Sequence, residues 1–155
     1  MRTFQRPREL LQFCRLMFEE SQKNYLPLNE EIISPVELKF SIWKEIDLVG
    51  EYSKSYKNLD KCIKSFTGAK TNWRWSSIEL IEHFEKLSNE EHIFDLITNS
   101  VANSKESIEI LYKIGFLRKV DRSNRYKTYY QDNSINYQTS IFDIHPAFRK
   151  KMTSC

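Results

Sequence analysis

The stretch Gly115-Phe116-Leu117-Arg118-Lys119-Val120, continued by Asp121-Arg122-Ser123-Asn124 and by Arg125-Tyr126-Lys127-Thr128-Tyr129-Tyr130, decides how this chain is read. Before Gly115 the apolar residues recur at helical spacing. After it the period falls toward two, in segments rich in aromatic and β-branched residues around a polar turn. That change predicts a helix stopped by glycine and followed at once by a β-hairpin.

Toward the amino terminus three short helices are expected ahead of the hairpin. Ser76-Ser77-Ile78-Glu79 is a capping box opening a helix with Ile78, Leu80, Ile81, Phe84 and Leu87 as its apolar stripe. Ser88 or Asn89 would cap a second helix, carrying Ile93, Phe94, Leu96, Ile97 and Val101. Ser104 would cap a third, carrying Ile108, Leu111, Tyr112 and Ile114. Toward the carboxy terminus, residues 131–139 read as a loop, 140–144 as a third strand, and Pro146 as the first position of a last helical turn. Three helices and then a two-stranded ribbon is the order of a winged helix. A four-helix bundle with a polar tail explains Gly115 and the tyrosines at 126–130 less well.

The first half reads as helical. Pro7 and Glu9 suit the start of a helix over about 7–24, with Leu10, Leu11, Phe13, Cys14, Met17 and Phe18 at helical spacing. Ser34-Pro35-Val36-Glu37 would open a long helix reaching about residue 56, and a third, about 58–67, would stop at Gly68. The fold class expected is therefore mainly α: an N-terminal helical segment (about three helices, 1–68), a linker (69–75), and a winged-helix domain with a small antiparallel β-wing (76–150).

Composition sets the outer limits. Of 155 residues, 29% are charged and 40% hydrophobic, the balance of a globular protein. No apolar run approaches the roughly 20 residues that cross a bilayer. The amino terminus lacks the apolar stretch of a secretory signal, so a cytoplasmic location away from membranes is expected. Cys14, Cys62 and Cys155 are too few and too far apart for a disulfide framework or a metal cage.

No catalytic machinery is legible, and the chain reads as a non-enzyme. Three glycines, Gly50, Gly68 and Gly115, cannot build a phosphate-binding P-loop or a dinucleotide fingerprint. His83 and His92, each preceded by glutamate, lack the spacing of a zinc helix and read as exposed helical histidines, so no metal is expected. Serines sit where helix capping explains them. The pairs Glu19-Glu20, Glu30-Glu31 and Glu90-Glu91 are adjacent in sequence and so diverge on a helix. No cofactor is implied. Trp73 and Trp75, flanking Arg74 beside the linker, read as aromatics pinning one module against the next.

Charge is concentrated late in the chain: residues 105–155 hold 10 basic and 5 acidic residues, whereas 74–104 hold 2 and 6. Arg118, Lys119, Arg122, Arg125 and Lys127 cluster on the hairpin among Tyr126, Tyr129 and Tyr130, a pattern that can neutralise phosphates. Lys105 and Lys113 on the preceding helix join the candidate nucleic-acid contacts, offset there by Glu106 and Glu109. Double-stranded DNA, held through the basic wing, is the candidate partner. The competing readings are a solvated hairpin and a protein-interaction module that uses the acidic helices and the wing as opposite docking faces.

Arg6-Pro7-Arg8-Glu9-Leu10-Leu11-Gln12-Phe13 resembles the sensor-2 helix in the lid of bacterial AAA+/STAND-like P-loop ATPases. The segments Leu111-Tyr112-Lys113-Ile114-Gly115-Phe116-Leu117 and Ile144-His145-Pro146-Ala147-Phe148-Arg149 look like the carboxy-terminal end of that group. The resemblance implies that Arg8, or else Arg6, matches the arginine that reaches the γ-phosphate in an intact ATPase. It also implies a nucleotide-binding core that these residues do not contain. The expectation is then a non-catalytic, regulatory or nucleic-acid-engaging carboxy-terminal module of an ATPase-like protein, partnered by a separate ATPase core or another protein. The alternative is a free-standing winged-helix DNA-binding regulator.

Overall fold

The computed structural model describes residues 7–25, 27, 30–70 and 72–153. Helix α1 (Pro7–Asn24) begins on the proline, as its fixed φ favours, and runs with the expected bounds. Its contact with the next helix is largely ionic. Glu9 and Glu20 are its buried residues. They meet Lys44 and Lys39 of α2 (Ile33–Tyr52), while Phe13 packs edge-to-face on Phe40 with ring centroids 5.4 Å apart. The apolar positions of α1 span more than one side of the helix, and only one side meets α2. Leu11 and Phe18 are therefore left 69% and 57% exposed.

A single 3-10 turn (Glu30–Ile32) leads into α2. Ser34, expected as the cap, lies inside the helix, and Ile32 at the cap position makes no side-chain capping bond. The helix ends at Tyr52, four residues short of expectation, because the chain turns there into strand β1 (Tyr56–Lys57). Its other side docks on the last helix, α6 (Pro146–Met152): Ser41 Oγ donates to the Ala147 carbonyl at 2.6 Å, and Lys151 Nζ lies 2.7 Å from Glu45 Oε1.

Helix α3 (Leu59–Lys64) precedes Gly68, whose φ of 70° supplies the left-handed turn expected there. Strand β2 (Arg74–Ser76) then takes up the end of the stretch expected as a linker. Helix α4 (Ser77–Glu85) carries the expected capping box in full, with both the Ser76 and the Glu79 bonds made. A hairpin of β3 (Phe94–Asp95) and β4 (Ser100–Val101) follows, then α5 (Ser104–Lys113), β5 (Leu117–Val120), β6 (Tyr126–Lys127) and β7 (Ile141–Ile144). The cap of α5 is Asn103 with Glu106, one residue before the serine expected. Gly115, at φ 85°, closes the helix before β5.

The expected fold class does not hold. The described residues form six α-helices and seven strands in two antiparallel sheets, ordered β1-β3-β4 and β2-β7-β5-β6, a mixed α/β architecture instead of a mainly α chain. Two stretches account for most of the difference. Residues 88–101, expected as a helix, fold into turns and the β3–β4 hairpin, because apolar spacing over so short a run fits either period. The linker hid β2, three residues long and recognisable only by its partner β7. One apolar core, from Leu48 through Phe66, Trp75, Phe84, Leu111 and Phe116 to Phe148 and Met152, joins residues on both sides of position 70.

Candidate nucleic-acid interface

The site begins with strand alternation. Arg74 pairs with Asp143 across β2–β7, and Arg118 pairs with the same Asp143 across β5–β7. These three side chains therefore share one face of the sheet, and Tyr126, opposite Val120 on β6, falls on that face too. The other face carries Trp75, Leu117, Phe142 and Ile144 into the core.

On the polar face one carboxylate serves an excess of cations. Asp143 is buried and accepts from Arg74 Nε at 3.2 Å, from the Tyr126 hydroxyl at 2.9 Å and from an Arg149 Nη at 3.5 Å. Its oxygens are thus occupied by groups other than Arg118. The Arg118 guanidinium lies 3.8 Å from the centroid of the Tyr126 ring, and its Nε is buried without a hydrogen-bond partner among the described residues. Burial, opposed by the fields of Tyr126 and Asp143 and helped by Arg149, pulls its pKa below the ordinary arginine value. It stays protonated at neutral pH, because arginine starts so high.

Arg118 lies in the floor of a groove of about 740 Å³ between the end of α5 and the β5–β6 hairpin. Tyr126, Tyr129 and Tyr130 supply its aromatic wall, Lys113 and Arg125 its other cations, and no aspartate or glutamate lines it. Tyr129 packs edge-on against Tyr112 at 5.5 Å, and Tyr130 projects 83% exposed. The hairpin turn is held by Asp121, which accepts from the backbone amides of Ser123 and Arg125 at 2.9 Å each, while Asn124 takes the left-handed position at φ 59°. Buried His145 also lines the groove. Desolvation, with the fields of Arg118, Lys44 and Arg149, lowers its pKa to about 2, so it is neutral there.

The candidate residues divide. Arg118, Arg125 and Lys113 converge on the groove, although Arg125 also lies 3.3 Å from Asp121. Lys119 and Lys127 pair across the hairpin and so take the opposite face. There Lys119 is occupied by Asp132 Oδ2 at 2.8 Å and by the Ser134 carbonyl at 2.7 Å. Arg122 is exposed at the turn. Lys105 sits in the first turn of α5 over Tyr137, about 12 Å along the helix from Lys113. Arg74 and Arg149 belong to the same cationic face but were not singled out from sequence. Only the register of β2 against β7 reveals Arg74, and only the docking of α6 reveals Arg149.

Elsewhere, Arg8 is 61% exposed and bonds Asp47 of α2 at 2.8 Å. Arg6 and Cys155 lie outside the described residues. His83 is not an exposed helical histidine: its Nε2 lies 2.9 Å from Ser65 Oγ, its ring packs 4.5 Å from Phe66, and burial lowers its pKa. His92 falls in the turn before β3, not on a helix. Trp75 is buried against Phe66, and Trp73 lies beneath the Arg149 guanidinium. Among the described residues no three metal-binding side chains come together, and no helix is long and apolar enough to cross a membrane.

Comparison with family models, with curated proteins and with solved structures finds no match to this chain.

Proposed function

We propose that this protein is a non-catalytic nucleic-acid-binding module, and that it holds its ligand in the groove between α5 and the β5–β6 hairpin. The observation that carries the reading is Arg118, whose Nε has no partner among the described residues, in the floor of a groove that has two further cations, four tyrosines and no carboxylate in its lining. A protein interior seldom keeps a guanidinium partly desolvated without an acceptor, since an unsatisfied buried donor costs about 1–3 kcal/mol. Half-buried Arg118 lines the groove without a carboxylate of its own, and a phosphate there would meet the fork through its outer nitrogens, since Nε itself is closed to solvent. Tyrosine faces beside cations are the usual surroundings of a bound base.

A cytoplasmic location accords with this reading. On the resemblance to ATPase lids and carboxy-terminal domains, the module would hold nucleic acid for a separate nucleotide-hydrolysing core. An upstream reading frame encoding Gly-x-x-x-x-Gly-Lys-Ser/Thr would support that extension, and its absence would favour a regulator acting alone.

The direct test is anisotropy of labelled double- and single-stranded oligonucleotides titrated with the protein over a range of low salt. Binding that weakens as salt rises is expected, because neutralised phosphates release counterions. Absence of binding to both, at the lowest salt, overturns the proposal.

A further inference from the structure

Resting on the nucleic-acid reading, we infer that the groove is a pocket for an unpaired nucleotide, with the phosphate at Arg118 and the base stacked on the exposed face of Tyr130. Single-stranded nucleic acid, or a base displaced from a duplex, is the ligand class.

Shape supports this first. The site is concave, and its volume of about 740 Å³ lies within the roughly 300–1,000 Å³ of pockets that enclose small molecules, the scale of one nucleotide. The helix beside it is poorly equipped for a duplex groove. The exposed polar residues of α5 include Lys105, Glu106, Glu109 and Lys113; Glu106 is committed to the cap, and Glu109 accepts from the Tyr129 hydroxyl at 3.3 Å. Of the side chains that read base edges in the major groove, α5 carries lysine but no Arg, Asn or Gln.

The groove has those missing groups on its hairpin side instead. Gln131 lines it, and its Oε1 accepts from the Thr128 amide at 3.0 Å, an arrangement that fixes the side chain and leaves its NH₂ to donate. Asn124 also lines it, with Oδ1 accepting from Arg74 at 2.9 Å. Two amide donors held by their oxygens, beside stacking rings and a phosphate-ready guanidinium, match the three parts of a nucleotide: edge, face and charge. Tyr129 is fixed by Tyr112 and Glu109. Tyr130 meets Tyr129 edge-on at 6.1 Å and makes no hydrogen bond or ion pair among the described residues, so its 83% exposed ring keeps surface on which a base can stack.

The experiment compares a labelled oligothymidylate of about 12 nucleotides, within the roughly 4–16 that known single-strand-binding domains cover, with a duplex of equal length at the same low salt. The intact chain and its Tyr130→Ala and Tyr130→Trp variants are titrated, with melting curves to verify folding. The inference expects the single strand to bind at least about ten-fold tighter than the duplex. It also expects Tyr130→Ala to lose about ten-fold on the single strand alone, and Tyr130→Trp to restore it. Equal or tighter duplex binding, or a single-strand affinity indifferent to Tyr130→Ala, overturns the nucleotide pocket and leaves nucleic-acid binding standing. Failure of both ligands to bind removes both.

Discussion

Lys44 Nζ lies 2.9 Å from Glu9 Oε1, and the two side chains, 1% and 0% exposed, form the buried ion pair that joins α1 to α2. Asp47, one turn further along α2, lies 3.4 Å from the same ammonium and also receives Arg8. Removing one partner of such a pair leaves a desolvated charge, whereas removing both does not. Lys44→Met is expected to cost about 3–5 kcal/mol in urea unfolding, and Glu9→Leu combined with Lys44→Met to recover most of that loss. A double variant as unstable as the single one would show that the pair does more than satisfy itself.

His145 makes stability depend on pH. It accepts from the Ala147 amide at the start of α6, and in the folded protein its pKa is lowered from 6.5 to about 2 by desolvation and then by Arg118, Lys44 and Arg149. The unfolded chain takes up a proton near 6.5 that the folded one refuses, so this contribution is whole above pH 6.5 and falls as pH drops from there toward 2. The loss is about 1.4 kcal/mol per pH unit over that window. His145→Asn, which keeps an acceptor at the cap, should flatten the slope of unfolding free energy between pH 6.5 and 4.5 by about one proton. An unchanged slope would place the acid sensitivity elsewhere.

The capping box of α4 can be weighed directly. Ser76 Oγ accepts from the Glu79 amide at 3.2 Å, and Glu79 Oε2 accepts from the Ser76 amide at 2.7 Å. Ser76→Ala should lower stability by about 1 kcal/mol in denaturant unfolding, and Ser76→Asp by much less. A larger cost would point to Ser76's second role as the end of β2.

The division among the basic residues predicts which of them a ligand meets. Lys113→Ala with Arg125→Ala should weaken nucleic-acid binding and reduce the slope of log affinity against log salt by about 2, one for each phosphate no longer neutralised. Lys105→Ala with Lys127→Ala should leave that slope unchanged, since one lies at the far end of α5 and the other on the opposite face of the hairpin. The reverse outcome would move the ligand out of the groove.

Local signals in the sequence determined much of this protein. Pro7 at the head of α1, the Ser76 and Glu79 box, the stops at Gly68 and Gly115, the hairpin after Gly115 and Pro146 at the head of α6 all stand where short-range physics puts them, because each depends on neighbours within about five residues. The short strands β1 to β4 have no such signature: β2 is defined by its pairing with β7, and the β3–β4 hairpin is completed by β1, each partner lying far along the chain. Tertiary structure alone turned Glu9 and Glu20 inward and left Leu11 and Phe18 outside, since it decided which side of α1 meets the lysines of α2. It also sorted a run of basic residues, close together in sequence, onto two faces. Alternation along a strand sends neighbours to opposite sides, and only the pairing of β5 with β6 and β7 gave Arg118 a tyrosine, an occupied carboxylate and an open groove.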